Sequence, residues 1–231
     1  MNVPNRDTEF RNWKFAHKTL VPLGETPAAA GVLPFCTLQG NIYFLLGREA
    51  YRRGFEQTGT WCDFGGGVSG KKKTSIQVAA QELQEETFGS IMDGPLCNII
   101  QYIETNTYFC VSSDIGKKTP YHMYITRIPY CDIPDIFMLR YKTAKRYKNS
   151  NNSCCDFERI KLKEIQPYGF QSNGKVRKSW LEKDDVRWVP LNHIENGRLN
   201  VRSEFLQSLK KYDIIEKLQD TLRTELNGHA A

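Results

Sequence analysis

The run Gly65-Gly66-Gly67, followed by the unbroken helical stretch Thr74–Thr87 (TSIQVAAQELQEET), sets the tightest limit on how this chain can fold. Ile76, Ala79, Ala80 and Leu83 recur at helical spacing, Thr74 or Ser75 can cap the start, and Gly89 follows the end. Ahead of the glycines, Ala30–Leu38 and Asn41–Leu46 are apolar, β-branched or aromatic runs parted by Gln39-Gly40, a strand–turn–strand signal. Gly47 to Gly59 reads as a polar loop, and Trp61–Phe64 as a short apolar run entering the glycines. Beyond the helix, Ile99–Val111, His122–Ile128 and Val186–Pro190 read as strands, and Ser203–Leu226 as one or two closing helices. The order ββ(β)–α–β–β–β–α requires a mixed sheet and excludes an all-parallel one.

A length of 231 residues fits one large domain, or one domain with an appendage. Residues 1–28 lack a period and read as an N-terminal arm, with Trp13 and Phe15 packing onto a domain over 29–231. Nothing approaches the roughly 18 consecutive apolar residues of a membrane span, and Met1–Phe10 is too polar for a signal or transit peptide. The seven cysteines are scattered without a CxxC pair, which excludes zinc-site spacing and favours a reducing, cytoplasmic compartment.

Net charge is +6, but its distribution matters more. Between Arg140 and Trp180 eleven Lys/Arg face only Asp156, Glu158 and Glu164, inside an insertion at about 131–180 whose first part, Ile136–Lys148, has helical character. Such a patch attracts phosphate esters, RNA or anionic membrane, and the interleaved Tyr141, Tyr147, Tyr168 and Phe170 could stack bases. A solvated lysine-rich insertion with local aromatic packing is the plainer reading.

With Leu83 at the centre of the apolar stripe, Glu82, Glu85 and Glu86 share one arc of roughly 100° beside it. Like charges so placed repel by a few tenths of a kcal/mol per pair, a penalty that a divalent cation removes. Mg²⁺ takes carboxylate oxygens and keeps substrate phosphates among its ligands, so acids behind a glycine-rich loop suit metal-assisted phosphoryl chemistry. A solvent-facing acidic helix is the alternative.

The segment Gly67–Gly89, GVSGKKKTSIQVAAQELQEETFG, resembles the box of the Nudix hydrolases, G-x5-E-x7-R-E-U-x-E-E-x-G-U with U a bulky aliphatic residue. Gly67 takes the first glycine and Gln81-Glu82-Leu83-Gln84-Glu85-Glu86 takes R-E-U-x-E-E. Three positions depart: Lys73 replaces the first Glu, Gln81 replaces the Arg that braces the helix carboxylates, and Phe88 pushes the last glycine to Gly89. The resemblance implies an α/β/α sandwich with a mixed sheet, and Mg²⁺ (or Mn²⁺) held by Glu85, Glu86 and the Gly67 carbonyl. It makes Glu82 a further ligand or the base for water. Glu182, ahead of the strand ending near Trp188, is the carboxylate from outside the box, with Glu158 its rival. Lys71, Lys72, Lys73, Gly66 and Gly67 would grip the substrate phosphates.

The implied reaction is hydrolysis of a pyrophosphate X–O–P–O–P. X is the 5′ cap of RNA, a nucleoside-diphosphate derivative such as ADP-ribose or a dinucleotide, or an inositol pyrophosphate. Two other readings stand beside it: a catalytically weakened module that binds a nucleotide or RNA without turnover, and a scaffold whose basic insertion contacts membrane or a protein partner.

Overall fold

The computed structural model describes residues 29–67, 73–113, 120–149 and 176–228. The residues of the expected arm, 1–28, and Lys71, Lys72, Glu158, Tyr168 and Phe170 lie outside the described residues.

The centre of the molecule is β1 (Ala29–Leu38), buried on both faces from Ala29 to Cys36. Gln39 and Gly40, at φ +52° and +76°, form a two-residue turn with both residues left-handed. That geometry matches strand twist and folds β2 (Asn41–Glu49) back antiparallel, with Leu38 opposite Asn41. β3 (Trp61–Cys62) pairs with β2, and β4 (Phe64–Gly67) pairs antiparallel with the first half of β1. On the other edge of β1 lies β6 (Tyr121–Arg127), parallel to it and itself antiparallel to β5 (Thr107–Ser113). β7 (Lys183–Pro190) runs along β2 and completes a mixed sheet of seven strands among the described residues.

Helices cover both faces. Along β1, Ala30 and Val32 point to one side and Leu33 and Phe35 to the other, the two-residue alternation of a strand. The first side packs under α1 (Ser75–Glu86), α2 (Leu96–Asn106) and α3 (Ile133–Asn149), through Ala79, Leu83, Ile99, Ile103 and Phe137. Under the second lie the short α4 (Leu191–Glu195), then α5 (Ser203–Lys211) and α6 (Ile214–Gly228), through Phe205, Leu209, Ile214 and Leu218. The result is the expected Nudix-like α/β/α sandwich.

Two expectations are corrected, and Tyr141 follows the plainer of its two readings. The first half of Ile99–Val111 is helix α2, and only Thr107 onward is strand. β2 runs through Gly47 to Glu49, so the loop begins later than the sequence suggests. Tyr141 is buried and stacks on Phe137 with ring centroids 5.7 Å apart, which makes it a packing residue rather than a base platform. Arg140, from the same basic run, is committed to Asp93 (3.1 and 2.6 Å) and to the Phe88 carbonyl (2.7 Å).

Candidate functional site

The carboxylates are placed by the start of α1. Thr74 forms a capping box, its hydroxyl accepting from the Gln77 N–H (3.4 Å) while the Gln77 side chain accepts from the Thr74 N–H (3.0 Å). From this start the helix lies across β1 and β4, with Glu85 and Glu86 buried and Glu82 half-buried against Gly66.

Each acid has a different environment. Glu86 is 2% exposed. One of its oxygens accepts the Gly65 N–H at 2.8 Å and the other lies 3.3 Å from the Lys183 ammonium. Glu85 accepts from the Gln81 side-chain amide at 2.8 Å, and Gln81 in turn accepts from Lys73. The two departures from the box therefore pair with each other, and an amide donor takes over the bracing of Glu85. Glu82 stands against Gly66, where an added Cβ would lie 2.6 Å from its carboxyl carbon; only glycine lets the carboxylate approach the strand so closely.

Lys183 was not singled out by sequence, yet it organises the site. It is 1% exposed at the start of β7, opposite Glu49 in the β2–β7 register, next to an irregularity between Arg48 and Glu49. Its ammonium donates to Glu49 Oε1 at 2.6 Å and to Cys62 Sγ at 3.1 Å. The other Glu49 oxygen accepts from Arg52 at 3.0 Å, and Arg52 reaches Glu182 at 3.3 Å. Glu182 thus lies at the rim of the cluster, in an ion pair. Asp63, behind β4, accepts from the Tyr121 hydroxyl.

The protonation pattern follows from burial and this cation. Burial opposes charge on Lys183, but Cys62, Glu86 and Glu49 outweigh it and hold its pKa well above the ordinary value. Burial also pushes against ionisation of Glu49, yet Lys183 brings that carboxyl below its usual range. For Glu86 burial dominates and drives the carboxyl well up, with Lys183 only partly offsetting it. Glu82 is pushed up to about 7 by burial first, then by Glu85 and Glu182.

A divalent ion needs several ionised oxygens free to converge on one point. Here Glu86 has both oxygens engaged, Glu85 shares one with Gln81, and Lys183 already supplies a positive charge. Among the described residues no group of three or more His, Cys, Asp or Glu side chains is arranged to hold a metal ion. The residues as arranged do not fit one.

No protein-family model and no curated protein matches the chain. Among solved structures it is similar to a Nudix hydrolase from M. smegmatis, RenU, at 15% identity over 84% of this chain and 88% of that one, TM-score 0.42. It is also similar to a C. elegans Ap4A hydrolase in a binary complex, at 15% identity over 83% of this chain and 98% of that one, TM-score 0.42. A third is a bifunctional NMN adenylyltransferase/ADP ribose pyrophosphatase from Francisella tularensis, complexed with AMP and a manganese ion. There the identity is 14% over 93% of this chain and 47% of that one, TM-score 0.44.

Proposed function

We propose that this chain is a Nudix-like module that binds a nucleotide or RNA ligand through its phosphates, with hydrolytic turnover weakened or lost. One observation carries the reading: Lys183, buried and 3.3 Å from Glu86, stands as a fixed cation among the acids that a catalytic ion would have to share. The ligand side of the reading rests on positive charge. Lys73 lies at the start of α1, Lys71 and Lys72 precede it in sequence, and the strongly basic 140–180 stretch adds more.

Glu82 favours a second reading, a Mg²⁺- or Mn²⁺-dependent pyrophosphohydrolase using Glu82, Glu85, Glu86, Glu182 and the Gly67 carbonyl. A carboxyl titrating at about 7 beside a glycine strand is poised for proton transfer at neutral pH. One experiment separates the two. ADP-ribose, a dinucleoside polyphosphate, an inositol pyrophosphate and capped RNA are each titrated against the full chain, with and without Mg²⁺ or Mn²⁺, while products are followed by mass. Saturable binding with intact ligand supports the module. Metal-dependent release of a monophosphate, lost in Glu82→Gln and in Glu85→Gln, replaces it with the hydrolase.

A further inference from the structure

Three strands bring a thiol, an amine and a carboxylate to one buried point. Cys62 on β3 is paired to Gly47 on β2, Glu49 is two residues further along β2, and Lys183 opens β7 across from it. Lys183 Nζ lies 3.1 Å from Cys62 Sγ, and Glu49 Oε1 touches both, 2.6 Å from the nitrogen and 3.4 Å from the sulfur. Cys62 and Lys183 are each 1% exposed. The lysine stem passes directly over Gly47, where a Cβ would meet its Cγ and Cδ at 3.0 Å. By contrast Cys97, Cys110 and Cys131 contact amide oxygens. Cys62 therefore faces the Lys183 ammonium at hydrogen-bond distance, with a carboxylate oxygen of Glu49 in contact with both.

We propose that Cys62 and Lys183 form a covalent Sγ–O–Nζ bridge when the protein meets dioxygen, a modification site distinct from ligand binding. The step balances. The ammonium and the thiol react with one O₂; sulfur and nitrogen each give up two electrons, and dioxygen takes all four. One oxygen atom becomes the bridge, bonded to both Sγ and Nζ, and the other leaves as water. The S–H bond and two N–H bonds are lost; two of those hydrogens go into the water and the remaining proton passes to Glu49. The bridged nitrogen is only weakly basic, so the change also removes the cation from Glu86 and Glu49.

The test uses the full folded chain in two preparations, one aerated without reductant and one kept anaerobic with a thiol reductant from lysis onward. Each is alkylated, digested and read by tandem mass spectrometry. The aerated sample is expected to yield a linked pair of peptides carrying residues 62 and 183, heavier than their sum by one oxygen less two hydrogens, with cleavage after Lys183 lost. The reduced sample yields the two peptides separately. An aerated, folded sample whose Cys62 alkylates as fully as in the reduced one overturns the proposal. So does oxygen found on Cys62 alone, as sulfinic or sulfonic acid, with Lys183 unlinked. The wild-type measurement decides by itself, so it does not depend on Cys62→Ser or Lys183→Arg folding, although each should abolish the linked pair. No ligand enters the readout, so its failure is separate from failure of the binding module.

Discussion

At the scale of single residues, Lys183 and Glu82 represent opposite solutions to burying charge. Lys183 is matched by Glu49 and Glu86. Removing one partner of a buried pair leaves the others uncompensated, which typically costs about 3–5 kcal/mol. Lys183→Met should therefore lower the unfolding free energy measured by urea denaturation by that order, and adding Glu49→Gln should recover part of the loss. If the single variant is as stable as wild type, the cluster is not held by its cation. Glu82 is unbalanced instead. Its folded pKa of about 7 lies above the ordinary 4.5, so the folded state binds its proton more tightly than the unfolded state does. Stability linked to Glu82 is then present below pH 4.5 and is lost as pH rises through 7, by about 3 kcal/mol at most. Glu82→Gln removes this dependence. Unfolding curves of variant and wild type should differ by a constant near pH 4 and diverge in the variant's favour by pH 8. The flank shared by Glu82, Glu85 and Glu86 was legible from the helical period alone. The inward turn of Lys183 was not, because the pairing slips there: Arg48 lies opposite Asp185 but Glu49 opposite Lys183, which leaves Asp184 as an extra residue of β7.

At the scale of elements, the C-terminus of α1 explains the third departure from the box. Phe88 sits at φ +53°, a left-handed conformation that costs a side chain about 1–2 kcal/mol, and Gly89 follows at +64°. What offsets the strain is the ring, packed edge-on to Phe137, Tyr141 and Trp180 with centroids 5.8, 6.1 and 5.5 Å away. That contact ties α1 to α3 and to the 3-10 turn Lys178–Leu181 just ahead of Lys183, so it fixes the acids relative to their cation. Both Phe88→Ala and Phe88→Gly should destabilise by about 3–5 kcal/mol through lost burial. Phe88→Gly should be the less damaging by about 1 kcal/mol, because it alone also relieves the backbone. Equal losses on chemical denaturation would mean that the left-handed strain is negligible. The same scale accounts for the misread α2. Leu96, Ile99, Ile100 and Ile103 have the spacing of one helical face, but their β-branched character resembles a strand, and packing against α1 and the sheet decided between the two.

At the scale of the whole molecule, a fold and a charge distribution have to be read together. The mixed sheet was legible because apolar runs, a two-residue turn and a glycine break follow one another in an order that few architectures satisfy. No helix among the described residues is long and apolar enough to cross a membrane. The positive excess lies mainly between residues 140 and 180, on a chain of net charge +6. In the described part, however, Arg140 is spent on Asp93 and Tyr141 on the core, so not every residue of that stretch is available to a ligand. A binding module of this kind has a measurable electrostatic signature. For a single-stranded ligand, log affinity falls against log salt by about 0.7 for each phosphate contact. If only Lys71, Lys72 and Lys73 engage phosphates, capped RNA and ADP-ribose should both follow a slope of about −2 or shallower. If the basic stretch tracks an RNA body, capped RNA should fall with a slope of about −4 or steeper while ADP-ribose stays shallow. Fluorescence anisotropy across a KCl series at fixed Mg²⁺ gives both slopes. A flat response for RNA would remove nucleic acid from the candidate ligands and leave a small nucleotide bound by short-range contacts around Glu82 and Gly66.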